Sequence, residues 1–187
     1  MKEFIKNSAC FFNFIDDIIG SKDRRLILEK LVEDIRDYLD ADRCTLFIVD
    51  KQRNELASRV AQGRGEVRLP INKHSLTGCC YLTGRTLRVN DAYNETELKK
   101  LDPGIRVSRT WDDATGYKTR NVLVTPIVAR GATVGVFLAL NKIGGFINYS
   151  REGVLEFAPL LGLAIEIVLL DEAILQNKKF EDLPFSA

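Results

Sequence analysis

Residues 112–142 have the sequence DDATGYKTRNVLVTPIVARGATVGVFLALNK, and this stretch decides the fold. Two apolar runs, Val122 to Ala129 and Thr133 to Leu140, are joined by Arg130-Gly131, which predicts a β-hairpin. The segment before them, residues 91–120, is polar, rich in turn residues and only lightly apolar. Loops of this length inside one domain are usually lids or binding loops, so we expect a ligand site beneath residues 91–120.

The segments around this hairpin predict further helices and strands. Apolar residues at helical spacing, led by Ile27, Leu31 and Ile35, predict a helix that ends near Asp40. A weaker stripe lies before a break at Gly20-Ser21 and predicts a helical extension over residues 1–20. Strands are predicted at 44–49, 56–61, 67–71 and 87–89, a short helix at 75–83, and a long apolar helix at about 150–176. This order predicts an α+β fold in which helices pack on one sheet.

The composition excludes several classes of protein. The 187 residues are 45% hydrophobic and 28% charged, which is unlike a disordered or collagen-like chain. The net charge of +1 gives no basic excess, so we expect no nucleic-acid partner. The longest apolar run, residues 157–170, is shorter than the roughly 20 residues of a membrane span and contains Glu166. Because no secretory signal pattern follows Met1, the sequence predicts a cytoplasmic protein with no membrane association.

The cysteines and the histidine predict neither a metal site nor an enzyme. Cys10, Cys44, Cys79 and Cys80 lack Cys-x-x-Cys spacing, and His74 is the one histidine of the sequence. We therefore expect reduced thiols, no bound metal and no required cofactor. No nucleophile, base and orienting group stand together in the sequence, so catalysis is not predicted.

Residues 41–142 carry motifs that resemble those of a GAF domain from cyclic-nucleotide phosphodiesterases and bacterial adenylyl cyclases. The matching stretches are 41–47, 82–85, 89–93, 112–121, 126–127, 135–136 and 141–142. The resemblance implies an antiparallel sheet of about six strands. The N- and C-terminal helices would pack on one face, and a lid would cover a pocket on the other. It also implies a GAF domain at 21–176, followed by a tail or linker at 177–187.

The cyclic-nucleotide-binding members of this family carry a signature that the chain matches in part. Asn141, Lys142 and Phe146 stand at the Asn, Lys and Phe positions, whereas Ser150 and Arg151 replace the Asp and Glu. In the family the Lys and Asp form a structural salt bridge beside the pocket. Lys142 must therefore find another partner, such as the nearby Glu152, or stay solvated.

The resemblance also implies a set of ligand-binding residues. Their side chains are of types that hydrogen-bond or pack against a nucleotide. By alignment they are Thr45, Leu76, Thr77, Asp112, Thr115 and Thr119, with Gln62 available to bond a base edge. Ala61 and Gln62 replace a Phe-Asp pair that reads the base in some members, and Leu138 replaces a pocket Glu. These departures argue against guanine, so cAMP is favoured over cGMP.

Simpler roles stay open for the same residues. The threonines could satisfy backbone groups, and Asp112-Asp113 could cap a helix. Residues 99–142 carry a net charge of +5, which favours an anionic ligand but is also compatible with a solvated surface.

The resemblance implies a regulatory role, with ligand occupancy passed through the terminal helices of a homodimer to an effector domain. The final helix supports this expectation, because it is apolar nearly all round and one stripe suffices to cover the sheet. Its apolar residues are Leu155, Leu160, Leu161, Leu163, Ile165, Ile167, Val168 and Leu169. Two alternatives remain: a domain for another metabolite or for no ligand, serving dimerisation, and an enzyme like free methionine sulfoxide reductase that would use Cys79 and Cys80.

Overall fold

A computed structural model describes residues 24–63, 65–107, 109–146, 151–176 and 183–184. Among these residues the elements are α1 (Arg24–Tyr38), β1 (Arg43–Asp50), β2 (Glu55–Ala61), β3 (Arg68–Pro70), α2 (Leu76–Thr83), β4 (Leu87–Val89), α3 (Glu95–Leu101), α4 (Thr110–Thr115), β5 (Val122–Ala129), β6 (Ala132–Leu140) and α5 (Arg151–Leu175). The predicted extension over residues 1–20 and most of the predicted tail lie outside the described residues.

The strands form one antiparallel sheet with the order β3-β2-β1-β6-β5-β4. β1 and β6 form its centre, where Cys44 lies opposite Ala139 and Phe47 lies opposite Val136. The β5–β6 hairpin turns at Arg130-Gly131, and both residues adopt positive φ, at 49° and 78°. The predicted α+β fold with a six-stranded antiparallel sheet is confirmed.

Both faces of the sheet are covered, which explains why β1 is apolar on both of its faces. Cys44, Leu46 and Ile48 belong to a first core that is shared with α1 and α5. Phe47 and Val49 point to the other face and belong to a second core. Such a central strand has no polar side and appears in the sequence as a continuous apolar run.

The long helix α5 lies directly on β5 in the first core. A Cβ atom at Gly162 would lie 2.3 Å from the carbonyl oxygen of Val128, so only glycine permits this close approach. Phe157 contacts Phe137 of β6, with 5.2 Å between the ring centroids. Of the helices in the described part of the chain, none combines the length and the hydropathy needed to cross a membrane.

The second core lies between the sheet and residues 71–120. Ser75 caps the N-terminus of α2, where its hydroxyl accepts a hydrogen bond from the Gly78 amide at 3.0 Å, and Gly84 follows the helix in the left-handed conformation. The lid, which we define as residues 91–120, contains two short helices that the sequence analysis did not predict. α3 forms because the Asn94 side chain accepts hydrogen bonds from two amides of its first turn. Leu98 of α3 is buried in the second core, so the lid packs on the sheet.

Candidate functional site

Asp112 is the centre of a hydrogen-bond cluster in the lid. One of its carboxylate oxygens accepts from the Tyr93 hydroxyl at 2.6 Å and from the Thr119 amide at 2.5 Å. The other oxygen accepts from the Thr119 hydroxyl at 2.9 Å. Asp112 lies in the first turn of α4, where a carboxylate also interacts favourably with the free amides of the helix. The cluster therefore ties α4 to both ends of the lid.

An open cleft of about 430 Å³ lies over this cluster. Its lining combines aromatic, acidic and basic side chains with the two residues of the cluster. The lining residues are Tyr93, Arg109, Asp112, Asp113, Gly116, Tyr117, Lys118, Thr119 and Arg120. The guanidinium of Arg109 lies over the Tyr93 ring, 4.4 Å from its centroid. The cleft thus offers both cations and hydrogen-bonding groups to a ligand.

Three of the predicted ligand residues lie deeper, between the lid and the sheet. Thr45 is 8% exposed and lies between Cys44 and Leu46 in sequence, so the alternation of β1 turns it to the opposite face of the sheet from these two residues. Leu76 belongs to the second core, and the hydroxyl of the buried Thr77 lies 3.2 Å from that of Ser75. The space beside them holds apolar side chains from the sheet and from α2. A ligand that reaches these residues must therefore displace the lid or part of the second core.

The other two predicted ligand residues serve local structure. The Gln62 side-chain oxygen accepts a hydrogen bond from the Cys44 amide at 3.0 Å, and Gln62 lines a groove beside α1 instead of the lid cleft. Thr115 ends α4, and its hydroxyl accepts from the Tyr117 amide at 3.4 Å. A role for either residue in contacting a ligand stays a prediction.

The signature residues hold the end of β6. Asn141 is 4% exposed and bonds the backbone of the lid on both sides of Thr119. Lys142 reaches the end of α1, where its ammonium donates to the carbonyl of Leu39 at 2.7 Å and lies 3.6 Å from the Asp40 carboxylate. Phe146 is buried in the first core. Lys142 therefore has its partner at α1, a position that its neighbours in sequence did not indicate.

Titration behaviour marks two tyrosines of the lid. Burial, together with the hydrogen bond to Asp112, raises the pKa of Tyr93 to about 12. Burial and the nearby Asp42 likewise raise the pKa of Tyr117 well above its ordinary value. Sequence reasoning did not single out either residue as functional, although Tyr93 ends one of the matching motifs and Tyr117 lies inside another.

The cysteines of α2 have the properties of inert thiols. Burial raises the pKa of both Cys79 and Cys80, and a thiol that stays protonated is a poor nucleophile. Cys44 is also buried, and burial raises its pKa too. Across the described ranges, no group of three or more histidine, cysteine or acidic side chains is placed to hold a metal ion.

The architecture is that of a regulatory, ligand-sensing domain: a six-stranded antiparallel sheet with terminal helices on one face and a lid on the other. The sequence profile of the GAF domain matches residues 23–165, and the chain belongs to the GAF family.

The chain is similar in sequence to two curated phosphodiesterases. A Caenorhabditis elegans protein, "Probable 3',5'-cyclic phosphodiesterase pde-5", is 27% identical over 168 residues, which are 82% of this chain and 22% of that protein. The "Dual 3',5'-cyclic-AMP and -GMP phosphodiesterase 11A" of Takifugu rubripes is 30% identical over 172 residues, which are 83% of this chain and 18% of that protein. The chain therefore spans about a fifth of the length of these relatives.

Solved structures share the fold at lower identity. The GAF domain of a phosphoenolpyruvate-protein phosphotransferase from Coxiella burnetii has a TM-score of 0.65 at 19% identity, covering 94% of this chain and 98% of that one. The free methionine-R-sulfoxide reductase of Neisseria meningitidis has a TM-score of 0.63 at 18% identity, covering 84% and 87% of the two chains. These likenesses establish the fold alone.

Proposed function

We propose that this GAF domain binds a cyclic nucleotide, with cAMP favoured over cGMP, in the cleft of the lid. Ligand occupancy then passes through a homodimer of α5 helices to an effector domain. The observation that carries the proposal is the cleft itself, where the Asp112–Thr119 cluster lies among three cationic side chains. The similarity to proteins named as cyclic-nucleotide phosphodiesterases supports the same ligand class.

The charges of the cleft suit the cyclic phosphate. Arg109, Lys118 and Arg120 line it, and all three are exposed enough to turn toward a ligand. A phosphodiester carries one negative charge, and charge-assisted hydrogen bonds from guanidinium groups are the strong ones. The volume of about 430 Å³ falls in the range of small-molecule sites, which is roughly 300–1,000 Å³.

The preference for adenine rests on two sequence departures from the guanine-reading members, at positions outside the residues that line the lid cleft. Leu138 packs against the second core at a position where a pocket glutamate would otherwise accept hydrogen bonds from guanine. Gln62 is held by the Cys44 amide, so its oxygen is engaged in the sheet. Both features remove groups that could read guanine, and this loss favours adenine over guanine.

Calorimetric titration of the ligand-stripped protein with cAMP and with cGMP tests the proposal. We expect cAMP to bind more tightly and to raise the melting temperature, because a ligand of the native state stabilises it by linkage. Lys118→Ala removes a cation of the cleft and should weaken binding about tenfold, the effect of losing one charged hydrogen bond. Lys100→Ala, at an exposed lysine of α3, is the matched control. No heat and no thermal shift with either nucleotide would refute the ligand assignment.

The homodimer is supported by a second apolar stripe on α5. Leu160, Leu163, Ile167, Leu170 and Ile174 recur at alternating spacings of three and four residues, which is the pattern of a coiled-coil seam. The α5 residues that are buried against the sheet are Phe157, Leu161, Ala164, Ile165 and Val168. Leu160 and Leu170 of the seam also pack, partly buried, against this core. Leu163 and Ile174 remain 42% and 78% exposed in one chain. A seam with this periodicity is self-complementary, so its natural partner is α5 of a second copy.

A domain without a ligand that serves only dimerisation is the second candidate. The observation that favours it is the second core, whose apolar side chains occupy the space between lid and sheet. The calorimetric titration separates the two candidates, because a dimerisation module would keep its α5 contact and show no nucleotide binding.

A reductase of the sulfoxide type is disfavoured by the burial and the raised pKa of Cys79 and Cys80. The free thiols of the described cysteines suit the reducing cytoplasm that we propose as the location.

A further inference from the structure

We propose that Lys142 is a positioning residue that fastens the end of the lid to the end of α1, so that a movement of the lid is passed to this helix. The consequence for regulation rests on the proposed function, whereas the mechanical link does not depend on any ligand. The link is built from three contacts: Lys142 with the end of α1, Asn141 with the lid, and Tyr117 of the lid with Asp42, which follows α1.

The first contact caps the C-terminus of α1. The Lys142 ammonium donates to the carbonyl oxygen of Leu39 at 2.7 Å, and Leu39 itself is fully buried. The last carbonyls of a helix have no partner inside the helix, and a cation there also interacts favourably with the helix dipole. Asp40 follows in the left-handed conformation, with its carboxylate 3.6 Å from the same ammonium. Lys142 thus holds the point at which α1 ends.

The second contact holds the lid. The Asn141 side-chain oxygen accepts from the Arg120 amide at 2.7 Å, and its amide group donates to the Lys118 carbonyl at 2.8 Å. The same amide group donates to the Tyr117 hydroxyl at 3.0 Å. Asn141 has a φ of 57°, a region that asparagine tolerates better than most residues. The residue next to the lysine is therefore bonded to two backbone groups of the lid and to the hydroxyl of its tyrosine.

The third contact closes the connection between the lid and the segment after α1. The Tyr117 hydroxyl donates to the Asp42 carboxylate at 2.9 Å, and the Arg43 guanidinium lies 3.9 Å from the centroid of the Tyr117 ring. The backbone of Lys142 is fixed by Asn121, whose side chain accepts from the Lys142 amide and donates to its carbonyl. The lid and α1 are thus joined through the adjacent residues Asn141 and Lys142, both of which are held by hydrogen bonds.

This arrangement gives Lys142 a partner although the chain lacks the Asp of the family signature. Ser150 stands at that position, so Lys142 is available to the end of α1. Lys142, which would pair with a nearby Asp in the family, here connects the end of β6 to Leu39, 103 positions earlier in the sequence. A shift of residues 117–121 on ligand binding must then strain or release the cap of α1.

Hydrogen exchange of the ligand-free full chain, followed by mass spectrometry, tests the link. In Lys142→Met we expect about tenfold faster exchange in two separate segments, the last turn of α1 at 35–39 and the lid end at 117–121. Lys142→Arg should restore protection in both, because a guanidinium can donate to the same carbonyl. Lys100→Met, the matched control on α3, should leave both segments unchanged. Acceleration confined to 35–39 would show a simple helix cap and would overturn the proposal.

A second variant approaches the link from the other side and keeps the lysine. Tyr117→Phe removes the hydroxyl that bonds Asn141 and Asp42, and it should also accelerate exchange at residues 35–39. An effect limited to the lid would contradict the link. With cAMP added, the wild-type chain should gain protection in both segments and Lys142→Met only in the lid. If no nucleotide binds, the ligand-free comparison still decides the link, so failure of the proposed function is recognised separately.

Discussion

The double variant Leu163→Ala/Ile174→Ala is expected to separate the proposed homodimer. Fully burying such a side chain is worth about 1.5–3 kcal/mol. The exposed fractions of 42% and 78% therefore represent about 2.5 kcal/mol per chain if the second copy covers them. Two chains contribute about 5 kcal/mol, of which alanine retains a small part, so about 4 kcal/mol is lost. The dissociation constant should rise by about three orders of magnitude.

Sedimentation equilibrium over a range of protein concentrations measures this change directly. Alanine is a good helix former, so α5 itself should persist, and circular dichroism verifies that it does. Leu82→Ala is the matched control, because Leu82 lies on α2, outside the seam of α5, and is 49% exposed. A wild-type chain that stays monomeric at every concentration would refute the reasoning. A double variant that dimerises as tightly as the Leu82→Ala protein would refute it equally.

Three further changes have defined outcomes. Asp112→Asn replaces one carboxylate oxygen by a donor, so a partner of the cluster is left unpaired and urea denaturation should show a loss of about 1–3 kcal/mol. The pKa of Tyr93 is raised from 10.0 to about 12, so the contribution of this tyrosine to the free energy of unfolding is fully present below pH 10 and is lost as the pH rises toward 12. Tyr93→Phe should abolish this part of the alkaline unfolding transition. Gly162→Ala places a Cβ against the Val128 carbonyl and should cost about 1–3 kcal/mol, whereas Gly65→Ala, in open space, should be nearly neutral by the same measurement.

The elements that the sequence predicted well are those with local signals. The β5–β6 hairpin has two apolar runs and Arg130-Gly131 between them, and these residues specify the turn without distant contacts. α2 was predicted with its end at Gly84 because a glycine after a short apolar segment marks a helix end. The continuous apolar run at 44–49 is likewise a local signal, typical of a central strand such as β1, whose two faces are both covered.

The features that the sequence did not predict depend on contacts between distant segments. α3 owes its place in the lid to the Asn94 cap and to the packing of Leu98. α4 is held by the hydrogen bonds of Asp112, and both helices form in a polar, turn-rich segment. The structure shows the end of α1 as a partner of Lys142, because a lysine at the end of β6 reaches an element that no local pattern brings near. The side-chain oxygen of Gln62 binds the Cys44 amide across the sheet, a contact that follows from strand register alone.

The position of β1 and β6 at the centre of the sheet has a consequence for how the chain folds during synthesis. β1 spans residues 43–50, and its partner β6 begins only at residue 132. A ribosome synthesises residues 51–131 while the edge of β1 that pairs with β6 still lacks its partner. Pairing between segments so far apart folds slowly, and unpaired strand edges are prone to aggregate. The interval between synthesis of β1 and of β6 is therefore when a chaperone would matter most to this protein.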